Sequence, residues 1–264
     1  MIKSSAKVLR LSLLALGYLI LYLPILGIMI YSFNSAERGV AWQGFSLKWY
    51  VALFHSPSIF SAAGHSMMLG LSAATIATIL GTVIAITIFR YRFRARQVMY
   101  NMNNVLMLIP EIIIAVFLLL IYTLFQVPLG FWSLVVAHVA ISVPFVVTII
   151  LSQTGSLDYA MIEAAMDLGA SDFVIWRRIL VPFFGPAIMV GWIIAFTLSV
   201  DDIIVSYFVS GPAFNILPFK IYSMIRTGIK PEINALSSLM MLFTWCLVLL
   251  GYYVFKVKKV RGPY

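Results

Sequence analysis

Charge is what this sequence has least of: only 10% of its 264 residues are charged, and nine of them are acids. A soluble domain is about half apolar and about a quarter charged, whereas here the apolar share is 62%. Nine acids and eighteen bases cannot give polar cover to a chain of this size, so lipid is the solvent over much of its surface. Cysteine is as scarce. The one residue, Cys246, lies inside an apolar run, which excludes an intrachain disulfide or a cysteine-based metal site and leaves a packing role. No G-x-x-x-x-G-K-[ST] phosphate loop occurs, so the chain does not hydrolyse ATP by that route. No pairing of nucleophile with base argues for an intramembrane enzyme. His138 within one run, and His55 and His65 flanking another, lack metal-binding spacing and read as packed histidines. Internal repeats, low-complexity tracts and a separate soluble domain are also missing, so residues 1–264 are expected to be a single transmembrane domain.

What is present is a series of apolar runs. Stretches long enough to cross a hydrocarbon core, roughly 20 helical residues, run over Val8–Phe33, Gly64–Phe89, Val98–Phe125, Gly130–Ser152, Ala187–Val209 and Ala235–Val257. This predicts an all-α polytopic membrane protein with six transmembrane helices. The basic start (Lys3, Lys7, Arg10) precedes a run too long for a signal peptide, and it reads as an uncleaved first span. The formal charge of +9 would suit a nucleic-acid binder if it formed one face. Instead the basic residues sit at the ends of apolar runs, which makes them topology signals and argues against nucleic acid. With the N-terminus inside, the cytoplasmic set is Lys3, Lys7, Arg10, Arg90, Arg92, Arg94, Arg96, Arg177, Arg178, Lys256, Lys258, Lys259 and Arg261. Only Arg38, Lys48, Lys220, Arg226 and Lys230 fall outside. Both termini are therefore expected in the cytoplasm.

The loop between the fourth and fifth runs, about 153–186, holds four of the nine acids: Asp158, Glu163, Asp167 and Asp172. Ser156 or Asp158 can cap a helix through Glu163, Ala164 and Ala165, and Gly169 can end it. Ser171 or Asp172 can cap a second helix that Pro182 stops. Two short helices across the cytoplasmic mouth follow. An interfacial lipid-surface helix would normally be basic, and the first of these is acidic.

The run Glu163-Ala164-Ala165, Gly169, Ile179, Val181-Pro182 resembles the EAA loop of binding-protein-dependent ABC import permeases, with Val181 in place of the usual leucine. The resemblance implies type I ABC importer permease architecture. It also implies that the loop is a coupling helix docking in an ATPase subunit through Glu163, Ala164, Ala165, Gly169 and Asp172. A passive channel would have no use for such a loop.

Three carboxylates, Glu111, Asp201 and Asp202, fall within apolar runs, where each costs about 2.5 to 3.5 kcal/mol on insertion scales. Counted along straight helices from the cytoplasmic ends, Glu111 and Asp201 share one layer roughly 20 Å deep. An anionic layer in a watery path attracts cations and disfavours anions such as sulfate, phosphate or molybdate. Adjacent Asp201 and Asp202 diverge by about 100° on a helix, so at most one points straight down the path. Structurally, Asp202 could instead bond through Ser199 or Ser206, and Glu111 could satisfy the backbone break at Pro110. The aromatic segment Trp42, Phe45, Trp49 and Tyr50 reads as an interfacial belt or as a cation-recognising lip with Trp49 as its candidate.

The stretches Phe45–Tyr50, Tyr91–Arg94, Phe131–Leu134, Leu198–Asp202 and Ile216–Tyr222 are similar to permeases of spermidine/putrescine importers. Permeases for opines and aminophosphonates look alike, and another organic cation or an amino-acid-like solute stays open as cargo. The resemblance implies a bacterial inner-membrane subunit without an ATPase site of its own. Its partners would be a second permease forming a heterodimer, two ATPase subunits binding ATP and Mg, and an external polyamine-binding protein. No cofactor is expected in this chain.

Overall fold

The computed structural model describes residues 2–37, 41–212, 214–227 and 231–260. Among them the chain is all-helical apart from one isolated antiparallel bridge between Asn34 and Phe45. Of the basic residues used for orientation, Arg38, Lys230 and Arg261 lie outside the described residues.

The helices are α1 (Ile2–Tyr31), α2 (Lys48–Phe54), α3 (Pro57–Arg90), α4 (Arg96–Leu108), α5 (Glu111–Leu124), α6 (Phe131–Ser152), α7 (Ala160–Asp167), α8 (Asp172–Ile175), α9 (Val181–Asp201), α10 (Ile204–Val209), α11 (Leu217–Thr227) and α12 (Pro231–Val260). Four unbroken stretches are long and apolar enough to cross a membrane: Arg10–Tyr31, Pro57–Arg90, Phe131–Ser156 and Asp172–Asp201. The third apolar run is a bent pair, α4 and α5, which turn by 104° at Ile109-Pro110. The sixth run lies on α12.

Two expectations are corrected here. The third run is not one straight helix, because Pro110 lacks an N–H and its ring excludes Ile109 from helical geometry; Ile109 is extended, with ψ 127°. Depths counted along a straight helix to Glu111 therefore do not hold. The fifth span also differs from Ala187–Val209. Pro182 does not stop the second loop helix: α8 runs through a π-helical turn, Trp176–Leu180, into α9, and the helical path is unbroken from Asp172 to Asp201. The wider turn relieves the clash that the proline ring would make with the preceding carbonyls. The break falls instead at Asp202-Ile203, and α10 carries the run on to Val209.

The chain divides into two compact units, residues 1–60 with 221–252 and residues 61–220 with 253–264. In the first, α1 presents apolar side chains such as Leu13, Ile20 and Leu23 outward. Asn34 organises the following loop: its Nδ2 donates to Ala41 O at 2.8 Å, and its Oδ1 accepts from Gln43 N at 2.9 Å.

The second unit is built on α6, which packs against α4, α5, α9 and α10. Close approach depends on small residues, as it must between helices in lipid. Val146 of α6 sits over Gly81 of α3 and Gly191 of α9. A Cβ on Gly81 would meet Val146 Cγ1 at 2.7 Å, and one on Gly191 would meet it at 3.2 Å. Tyr122 of α5 donates its hydroxyl to Ser133 O of α6 at 2.9 Å, which satisfies a polar tip inside an apolar cluster of Leu134, Val205 and Val209.

Candidate functional site: an acidic loop and two helix breaks

The loop after α6 begins with Asp158, whose Oδ1 accepts from Ala160 N at 3.0 Å and so satisfies a free donor at the start of α7. Ile162, fully buried, pins α7 to the unit, while Glu163 and Ala164 are exposed and Ala165 is half-buried. Gly169 ends the helix at φ +81°, a left-handed conformation that costs a side-chain-bearing residue about 1–2 kcal/mol. Gly169 N–H donates to Met166 O at 2.8 Å and Ala170 N–H to Ala165 O at 2.9 Å, the paired closure of a Schellman cap. The acidic helix and its glycine stop stand where the sequence placed them. Leu168, with 89% of its surface exposed beside the cap, and Phe173, with 65%, were not singled out by sequence reasoning; apolar residues in a loop carry no periodic signal.

Asp172 starts α8 and pairs with Arg90 at 3.4 Å. Arg90 also donates to Met166 Sδ at 3.0 Å and to Tyr159 Oη at 3.4 Å. The end of α3 thus grips both halves of the loop.

The acids of the apolar runs gather at the two breaks. Glu111 is the first residue of α5, just after Pro110, where a negative charge is favoured by the positive end of the helix dipole. Asp201 is the last residue of α9. There the free carbonyls of the helix end add to its negative potential, the local electrostatics of a cation site. Both residues are exposed, whereas Asp202 is buried. Glu111 is within coulombic range of Asp202, and α5 packs against α10.

Asp202 caps α10: Oδ1 accepts from Val205 N at 3.1 Å, and Oδ2 accepts from Ser206 N and Ser206 Oγ, both at 2.8 Å. His138 of α6 is fully buried beside it. Its Nε2 lies 3.0 Å from Ser206 Oγ and 3.5 Å from Asp202 Oδ2, and its Nδ1 lies 2.7 Å from Ser199 Oγ. The sequence reading of His138 as a packed residue missed this centre; its partners lie 61 and 68 residues away, and only the fold brings them together. An apolar groove of about 690 Å³ fills the elbow between α4 and α5, with Asn103 as its polar lining residue. It offers a cation no charge.

Trp49 belongs to the first unit. Its Nε1 donates to Asn34 O at 2.8 Å, and Lys48 Nζ lies 4.6 Å from the ring centroid. One face of the indole therefore already has a cation.

The described helices, breaks included, have the fold of ABC transporter chains of known structure. The fold agrees with solved structures of that class. A bacterial ABC transporter involved in the import of the acidic polysaccharide alginate superposes with a TM-score of 0.75 at 15% identity, covering 96% of each chain. The MetNI methionine ABC transporter gives 0.60 at 16% identity, covering 76% of this chain and 98% of that one.

Residues 77–257 match the family described as "Binding-protein-dependent transport system inner membrane component", and the chain belongs to that family. It is 44% identical to the spermidine/putrescine transport system permease protein PotC of Escherichia coli K12 over 232 residues, 88% of each chain. It is 38% identical to the putrescine transport system permease protein PotI of the same organism, over 88% of this chain and 85% of that one.

Proposed function

We propose that this chain is the membrane-spanning permease subunit of an ATP-driven polyamine importer in a bacterial inner membrane. It crosses the membrane six times with both termini in the cytoplasm. It pairs with a second permease, receives spermidine or putrescine from an external binding protein, and docks through its loop on one of the assembly's two ATPase subunits, which hold ATP and Mg. One observation carries the reading of the cargo: Glu111 and Asp201, both exposed, stand at the two places where transmembrane helices break. A carboxylate at the C-terminal end of α9 and a second at the Pro110 break give a cationic amine two exposed points of attraction, beside the buried carboxylate of Asp202. Relatedness to polyamine permeases supports the same cargo.

The loop of Glu163, Ala164, Ala165, Gly169 and Asp172 transmits the ATPase cycle. Exposed Leu168 and Phe173 are the apolar contacts that such docking would cover. Closing and opening of the ATPase pair supplies the energy, and this chain converts it to alternating access.

The test is uptake of labelled spermidine and putrescine into proteoliposomes holding the assembled transporter, with arginine and an aminophosphonate as competitors. Uptake of the polyamines, blocked by each other and not by arginine, supports the assignment. Uptake driven by ATP but specific for arginine or the aminophosphonate moves the protein to another cargo within the same architecture.

A further inference from the structure

We propose that His138 is a positioning residue of the cargo path, clamping the break in the fifth span and so fixing where the Asp201 carboxylate points. The proposal rests on the reading of Asp201 as a cargo contact. Between α9 and α10 the backbone leaves helical geometry at Asp202, with ψ 128°. The helical hydrogen-bond ladder therefore does not set the angle between the two segments. Side chains do. His138 reaches Ser199 on α9 at 2.7 Å with one ring nitrogen and Ser206 on α10 at 3.0 Å with the other. Asp201 lies between these two anchor points.

With the imidazole neutral, counting donors assigns the proton arrangement. Ser206 has one hydroxyl proton and gives it to Asp202 Oδ2 at 2.8 Å, so it accepts from His138, whose Nε2 must carry the hydrogen. A neutral imidazole then accepts at Nδ1, and Ser199 donates there. Ser199, His138, Ser206 and Asp202 thus form one directed chain with no donor facing a donor. His138 is 0% exposed and Ser206 likewise, with Ser199 at 2%. Each link is therefore shielded from water, and each broken one leaves a buried polar group without its partner. α5, which begins at Glu111, packs against the capped segment α10. The clamp stabilises one geometry of the break; it does not touch the cargo.

The experiment compares variants of the assembled transporter in proteoliposomes and reads spermidine imported per ATP hydrolysed. His138→Leu is expected to lower that ratio about tenfold, the effect of losing buried hydrogen-bond partners, with subunit assembly and binding-protein-stimulated ATP hydrolysis unchanged. His138→Gln keeps a donor toward Ser206 and should recover most of the ratio. Because the clamp acts through Asp201, His138→Leu combined with Asp201→Asn should be no worse than the poorer single variant.

An unmodified ratio for His138→Leu beside a lowered one for Asp201→Asn overturns the clamp alone. So does a double variant whose loss is the product of the two single losses. An unmodified ratio for Asp201→Asn removes the cargo-path reading, and the clamp with it. If His138→Leu does not assemble, Ser199→Ala keeps the ring and removes one link. A loss of about threefold is then expected, and no loss overturns the proposal.

Discussion

Arg90, the last residue of α3, holds its guanidinium 3.4 Å from the carboxylate of Asp172, the first residue of α8. Asp172 is largely exposed and Arg90 is not, with side-chain exposures of 60% and 14%. With Asp172 open to solvent the pair is screened and contributes about 0–1 kcal/mol, so Asp172→Asn should leave the folded state almost as stable. Arg90→Ala loses the contacts to Tyr159, Met166 and Asp172 together and should loosen the loop. Amide hydrogen exchange across residues 158–171 is expected to accelerate clearly in Arg90→Ala and little in Asp172→Asn.

Glu163→Arg reverses the charge on the exposed face of α7 and should abolish uptake without disturbing the membrane fold. Gly169→Val forces a branched side chain into a left-handed conformation, at a cost of about 1–2 kcal/mol, and should misplace the same helix. Both variants are expected to lose the ATPase subunits on purification after mild solubilisation. Retention of the ATPase and of ATP-driven uptake in both would remove the coupling role.

Asp201→Asn and Glu111→Gln keep shape and remove charge. Each should reduce spermidine uptake by about tenfold for every 1.4 kcal/mol of stabilisation lost, while assembly and basal ATP hydrolysis persist. Asp202→Ala should behave differently, because it strips the cap from α10 and leaves Ser206 and Val205 without their acceptor. A loss of about 1–3 kcal/mol should appear as a lower melting temperature of the solubilised protein. Full-rate uptake by both Asp201→Asn and Glu111→Gln would return those carboxylates to helix packing.

Gly81→Ala places a methyl 2.7 Å from Val146 Cγ1 and should destabilise the α3–α6 contact by about 1–3 kcal/mol, as overpacking does. Val146→Ala makes room for that methyl, so the double variant should melt above Gly81→Ala alone. A double variant melting below both singles would show that the two residues do not share one contact.

The runs seen at Arg10–Tyr31, Pro57–Arg90 and Phe131–Ser156 were legible because bilayer thickness fixes their length, and the end of α7 was legible because Gly169 is the residue that a left-handed cap favours. Pro110 announced a break but not its size; the 104° turn depends on how α4 and α5 pack against α6. Pro182 misled, since a π-helical turn can carry a helix past a proline and leaves no signature in the sequence. Neighbouring Asp201 and Asp202 were bound to diverge, yet which of them was buried depended on His138 and Ser206, and on a helix end displaced from the expected boundary. Long-range partners of a lone histidine leave no trace in local spacing.

The unbroken path from Asp172 to Asp201 has a mechanical consequence. Its 30 residues make a rod of about 45 Å at 1.5 Å per residue. In the proposed transporter the loop that docks the ATPase and the carboxylate at the far break are two ends of one helical path, which holds a π-helical turn at Trp176–Leu180 and Pro186 farther on. On that proposal a stroke delivered at Asp172 would reach Asp201 as tilt or torque along one continuous helical path.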